Sequence, residues 1–244
     1  MKTCLNITFD GRNYHGWQVQ KNVPTVQGAL QDAFEKLTGK RLNVTGCSRT
    51  DAGVGANSYI CHLDGKLTLP EEKVFAALNS ILPRDIAVKE VFTRPDDFHS
   101  RYSCIGKEYI YRIWNAKYRN PHLDGKALFY PKELDLEKIS YVGEQLFGKH
   151  DFRAFMASGS SITDDTVRNI KYCYLTRQGD LCELRVRANG FLYNMVRIIV
   201  GTYLAANEDK LKMSVTDILA SGNRANAGPT AEACGLYLNE VFYD

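Results

Sequence analysis

The sequence predicts an α+β protein built from two ferredoxin-like β-α-β-β-α-β units with a cleft between them. Two observations carry that reading. Alternating and helical apolar periodicities succeed one another in the order strand, helix, strand, strand, helix, strand, and the same order returns, with an insertion, in the second half of the 244 residues. No low-complexity stretch or flexible linker parts the halves, so close packing of one on the other is expected. The halves share element order and no evident sequence identity.

In the first unit, residues 1–98, Leu5, Ile7 and Phe9 fall on one face of a strand over 3–9. Thr25 reads as an N-cap for a helix in which Val26, Leu30, Ala33, Phe34 and Leu37 recur at helical spacing, and Gly39 reads as its stop. Strands are expected near 43–47 and over 58–64. Pro70 opens a second helix with Val74, Leu78 and Ile81 on one face, and a strand over 86–93 closes the unit. The second unit, residues 99–244, begins with a strand over 107–115 (KEYIYRIWN) and a helix near 136–147. Strands over 167–176 and 181–188 flank the turn-like Gln178-Gly179-Asp180. A long helix over 191–206, a short one near 214–221 and a final strand over 236–242 complete it.

Bulk composition excludes several classes. A hydrophobic content of 44% with 24% charged residues is that of a soluble globular chain. The net charge of +3 permits a polyanionic partner without requiring one. Seven cysteines, an odd number with no C-x-x-C pair, argue against a disulfide framework or a zinc site and for reduced thiols. The five histidines show no metal-ligand spacing, so no metal is expected. The N-terminal MKTCLNITFDG lacks a signal peptide's apolar core. No run approaches the roughly 20 apolar residues of a membrane helix. A cytoplasmic protein that is not membrane-bound is the expectation.

Chemistry concentrates at three places. In GCSRTDAGVGA, residues 46–56, Asp51 follows a strand and precedes glycines, on a loop where a ligand can approach the backbone. A turn aspartate capping local amides is the plainer alternative. The phosphate-loop pattern G-x-x-x-x-G-K-[ST] is absent. Arg197 sits in the apolar run FLYNMVRIIVGTYL, where a guanidinium needs an anion or a route to water. It either reaches a functional aspartate in the cleft or snorkels to the surface. In KEYIYR, Tyr109, Tyr111 and Lys107 share one face of a strand. They are half-buried sheet residues or a stacking surface for a base with a lysine for phosphate. Residues 101–119 carry Arg101, Lys107, Arg112, Lys117 and Arg119 against Glu108 alone. Basic strands interleaved with aromatics are a nucleic-acid signal, although solvated strand faces share it.

FDGRNYHGWQVQ followed by TVQGAL, then SRTDAGVGA, FHSRYSCIGKEYIYRI, GKHDFRAF, TVRNI, NGFLYNMVRIIVG and GPTAEACGLYLNEVFY run in that order along almost the whole chain. Together they resemble the tRNA pseudouridine synthase A family. The resemblance implies an isomerase that converts uridine to pseudouridine at positions 38, 39 and 40 of the tRNA anticodon stem-loop. It implies a homodimer without cofactor or metal, and two ferredoxin-like halves forming one extended, mainly antiparallel sheet with helices on one face. It places the catalytic aspartate, a nucleophile, on Asp51, the active-site tyrosine on Tyr109 and the active-site arginine on Arg197. Arg49, Arg101, Lys107 and Arg168 are expected to contact the RNA. The chain departs from the family pattern at Ser48, where glycine is usual, at Gly55, where histidine is usual, and at Glu232, where proline is common. The alternative readings are a divergent paralogue with another RNA site preference and a non-catalytic RNA-binding module, although the RNP1 pattern of RNA-recognition motifs is absent.

Overall fold

A computed structural model describes residues 1–159 and 164–244. The chain forms two compact units, Met1–Ile105 with Tyr237–Asp244, and Gly106–Leu236. The division falls after Ile105 rather than after residue 98 because Ser100 is tied into the first unit. Its N–H donates to His62 Nδ1 at 3.2 Å, its Oγ donates to the Thr45 carbonyl at 2.8 Å, and its carbonyl accepts from Tyr243 Oη at 2.6 Å.

The first unit contains β1 (Lys2–Phe9), α1 (Val26–Thr38), β2 (Val44–Gly46), β3 (Gly55–Leu63), α2 (Glu71–Ile81) and β4 (Ile86–Arg94). The second contains most of β5 (Cys104–Trp114), then β6 (Leu128–Phe129), α3 (Leu136–Leu146), β7 (Gly148–Asp151), β8 (Val167–Gln178), β9 (Leu181–Ala188), α4 (Met195–Asn207) and α5 (Val215–Ser221). The last strand, β10 (Leu236–Tyr243), belongs from Tyr237 onward to the first unit.

In the first unit β1 runs antiparallel to β3, with Ile7 opposite Tyr59, and antiparallel to β4, with Leu5 opposite Val91. β2 lies antiparallel on β3 with Gly46 opposite Cys61, and β10 runs parallel to β3 with Tyr237 opposite Gly55. The order β4-β1-β3-β2 is the ferredoxin-like arrangement that the element order predicts. α1 and α2 pack on each other and so share a face of this sheet. Leu5, Ile7, Leu30, Phe34, Tyr59 and Leu78 form the core between the layers. α1 begins and ends where the sequence places it. Thr25 Oγ1 accepts from the Gly28 N–H at 3.2 Å, and Gly39 closes the helix at φ +73°.

In the second unit β9 lies between β5 and β8 and is antiparallel to both, with Val186 opposite Tyr109 and Cys173. β7 adds an antiparallel edge to β8, and β6 pairs in parallel with the end of β5. α3 packs on β8 and on α4. Neither β6 nor β7 is expected from the sequence, because two to four residues are too few to show alternation. α4 starts at Met195 rather than at residue 191. Asn194 holds a left-handed backbone at φ +59°, which interrupts any helix running in from Phe191. Among the described residues no helix is long and apolar enough to cross a membrane.

Candidate active site

Asp51 is half-buried in the loop between β2 and β3. The segment 11–17 holds this loop through the main chain. Trp17 N–H donates to the Thr50 carbonyl and Gly53 N–H to the Tyr14 carbonyl, each at 3.2 Å, and Val54 N–H closes a turn on the Asp51 carbonyl at 3.2 Å. The two backbones lie too close for side chains. A Cβ on Gly16 would stand 2.3 Å from the Thr50 carbonyl oxygen, and one on Gly11 would stand 2.0 Å from that of Val54. Gly16 also has φ +85°, a conformation glycine adopts at little cost.

Aromatic side chains fix the bed beneath the loop. Trp17 stacks on Tyr59 with ring centroids 4.2 Å apart, and the Tyr59 hydroxyl donates to the Ser48 carbonyl. Tyr14 Oη donates to Asp85 at 2.6 Å, and burial together with that carboxylate pushes its phenol pKa well up. Arg49 is exposed beside the loop. Thr50 Oγ1 is buried and has no hydrogen-bond partner among the described residues. A carboxylate on a backbone fixed in advance can act as nucleophile or charge stabiliser with little reorganisation.

In the second unit Tyr109 and Tyr111 are both buried on one face of β5. Tyr109 meets Phe191 edge-on, with centroids 5.1 Å apart. Tyr111 Oη donates to the Glu232 carbonyl at 2.8 Å, and burial pushes its pKa up against a smaller opposing pull from Arg197. Arg197 stands in the first turn of α4. Its Nε donates to the Ala231 carbonyl at 2.7 Å and its Nη1 to Asn194 Oδ1 at 2.8 Å, while Ala231 N–H donates to the Arg197 carbonyl at 3.1 Å. The chain at 228–231 comes this close because Gly201 has no side chain; a Cβ there would stand 1.6 Å from the Pro229 carbonyl oxygen. NGFLYNMVRIIVG and GPTAEACGLY are thus two parts of one mount for Arg197.

The remaining expected contacts differ in availability. Arg101 is exposed, with its guanidinium carbon 5.7 Å from the centroid of the Tyr102 ring. Lys107 is half-buried on β5. Arg168 is largely buried, and its Nη1 donates to the Val167 carbonyl at 2.7 Å, the Asp165 carbonyl at 3.1 Å and Asp165 Oδ1 at 3.2 Å. The first unit therefore carries Asp51, Arg49 and Arg101, and the second carries Tyr109, Arg197, Lys107 and Arg168. Sequence reasoning gave no role to Gly11, Tyr14, Gly16 and Trp17, although FDGRNYHGW holds them all, nor to Asn194. Glycines and aromatics crowded into nine polar-flanked residues were the available signal. Among the described residues no group of three or more His, Cys, Asp or Glu is placed to hold a metal ion.

The family model described as tRNA pseudouridine synthase matches residues 6–103 and 143–244. The tRNA pseudouridine synthase A of a Thermoanaerobacter species is 44% identical over 238 residues, 97% of each chain. That of Ruminiclostridium cellulolyticum is 41% identical over 244 residues, 99% of each chain. The tRNA pseudouridine synthase A 2 of Clostridium tetani is 41% identical over 243 residues, 98% of each chain.

Proposed function

The chain belongs to the tRNA pseudouridine synthase family, and on that premise we propose that it isomerises uridine at positions 38, 39 and 40 of the tRNA anticodon stem-loop, with Asp51 as nucleophile. The reaction breaks the C1′–N1 bond, turns the uracil and joins C5 to C1′; the proton lost from C5 is matched by one gained at N1. A carboxylate suits the first step, because it can attack an electrophilic centre or stabilise a cationic sugar. Tyr109 stacks on the uracil and assists removal of the C5 proton. Arg197 orients Asp51 and helps fill the space the base leaves. Arg49, Arg101, Lys107 and Arg168 contact the RNA. A base within a stem must leave its stack, at a cost of a few kcal/mol that these contacts offset. The enzyme works as a cytoplasmic homodimer, needs no cofactor, and should run in solution at twice its 27.5 kDa chain mass.

The observation that carries this reading is the Asp51 loop. Two glycines and two main-chain hydrogen bonds hold it against the segment 11–17, and a third closes a turn within it, which is more than a surface turn needs. The test is pseudouridine mapping at single-nucleotide resolution on unmodified tRNA transcripts. Wild type should mark positions 38 to 40, and Asp51→Ala should mark none. Asp51→Asn should lose product while keeping its tRNA affinity within about threefold, since the two side chains are nearly isosteric. Product at other uridines would refute the site assignment and leave the reaction intact. No product from wild type on any tRNA would refute both.

A further inference from the structure

We propose that the turn His99–Ser103 presents a base-stacking platform, the Tyr102 ring backed by His99 and Arg101, for an unpaired nucleotide of the RNA substrate. This rests on the reading of tRNA as substrate and adds to it a contact that neither Asp51 nor the basic residues supply.

Tyr102 is 76% exposed, more than any other large apolar side chain among the described residues. A single exposed tyrosine is ordinary. This one differs in being held. Its ring lies 4.3 Å from that of His99 at 36°, and the Arg101 guanidinium carbon lies 5.7 Å from its centroid. The turn beneath it is locked at every residue. His99 N–H donates to Ser103 Oγ at 3.0 Å, and Ser103 N–H donates to the His99 carbonyl at 2.9 Å. The N–H groups of Arg101 and Tyr102 both donate to His99 Nδ1, at 3.1 and 3.3 Å. Ser100, fully buried, pins the turn to His62, Thr45 and Tyr243.

An imidazole that accepts two hydrogen bonds at Nδ1 is neutral there. Burial and the Lys2 charge lower the His99 pKa in the same sense, so a flat, uncharged ring backs the tyrosine. Two further cations lie along the segment that leads into the turn. Lys2 Nζ donates to the Phe98 carbonyl at 3.0 Å, and Arg94 lies over the rings of Phe92 and Phe98 at 5.7 and 5.8 Å. A preorganised aromatic face with the Arg101 guanidinium against it is the chemistry that binds an unstacked base with its phosphate. The small cost of ordering such a side chain has already been met before binding.

The test compares Tyr102→Ala, Tyr102→Phe and Arg101→Ala with wild type. It reads tRNA affinity across a salt series, pseudouridine formation on the same transcript, and melting temperature. Tyr102→Ala should weaken tRNA binding about tenfold, the scale of one stacked base. The slope of log affinity against log salt should not change, because no phosphate contact is lost. Tyr102→Phe should restore affinity to within about twofold, and the exposed site should leave melting unchanged. Arg101→Ala should instead reduce the salt slope by about one. Unchanged affinity in Tyr102→Ala, or a loss that Phe does not restore, overturns the platform. Wild type that binds tRNA and yields no pseudouridine overturns the catalytic reading, and the affinity ratio then still judges the platform.

Discussion

Asp51 and Arg197 are held in opposite ways. The Asp51 loop is fixed by main chain against main chain, with Gly11 and Gly16 admitting the close approach. Arg197 is fixed by its own side chain, whose Nε and Nη1 reach the Ala231 carbonyl and Asn194 Oδ1. A backbone mount is broken by adding an atom, and a side-chain mount by removing a partner. The first kind sets the position of the loop that carries the carboxylate. The second uses part of the guanidinium's five donors to aim the rest.

Gly16→Ala should give the largest effect. The added methyl would meet the Thr50 carbonyl, and φ +85° strains any L side chain. Strain and overpacking of this kind cost about 3 kcal/mol or more. Displacing the carboxylate by an ångström costs about 100-fold in turnover. Thermal melting and kcat/KM on a tRNA transcript read both quantities. Full activity in this variant would mean the loop does not depend on the segment 11–17.

A pH titration probes the support behind the first unit. His62 is buried, and its Nδ1 accepts from the Ser100 N–H at 3.2 Å, which leaves no room there for a second proton. Burial, and then the Lys2 charge, lower its pKa from 6.5 to about 4. The unfolded chain therefore takes up a proton that the folded chain refuses. The His62 contribution is complete above pH 6.5 and is lost as pH falls toward 4, by at most about 1.4 kcal/mol per pH unit. Urea midpoints at pH 7 and pH 5 should separate by up to about 2 kcal/mol from this group. His62→Asn should narrow the separation, and an equal separation in both proteins would refute the assignment.

Asn194 isolates the side-chain mount. Asn194→Gly keeps the left-handed backbone and removes the Oδ1 that Arg197 uses. Melting should hold within about 1 kcal/mol, while kcat/KM falls about tenfold, the worth of one hydrogen bond to a charge. Asn194→Ala adds the left-handed strain, about 1 kcal/mol, to the same loss. If Gly and Ala lose stability equally, the backbone at 194 is not what places Arg197.

The two mounts were not equally legible in the sequence. Elements whose signal is local came through. Thr25 and Gly39 bracket α1, and Leu5, Ile7 and Phe9 alternate along β1, because capping and pleat act within a few residues. Asp51 was legible as a loop residue, and its neighbours placed it in a family. What holds it was not, since Gly16 and Thr50 lie far apart in the chain and meet only in the folded unit. The start of α4 was lost for a related reason. Phe191, Leu192 and Tyr193 carry a helical pattern, and the left-handed turn at Asn194 is a choice made by tertiary contacts. Gly55 was visible only as a departure from the family's histidine. In the fold a Cβ there would meet the Tyr237 ring at 2.7 Å, so the last strand occupies the space a side chain would need.

Thr50 gives the smallest effect and the sharpest distinction. Its carbonyl belongs to the backbone mount, accepting from Trp17 N–H, yet its buried hydroxyl has no partner among the described residues. A polar atom in that state contributes nothing to the fold and costs something to hide. Thr50→Val keeps the shape and the backbone contact and removes the hydroxyl. If the loop is held by backbone alone, the variant should melt at the wild-type temperature or slightly above, within about 1 kcal/mol, with kcat/KM unchanged. A drop in kcat/KM at unchanged melting temperature would show that the hydroxyl finds its partner in the RNA-bound state. The mount would then be made of backbone before substrate binds and of side chain afterwards.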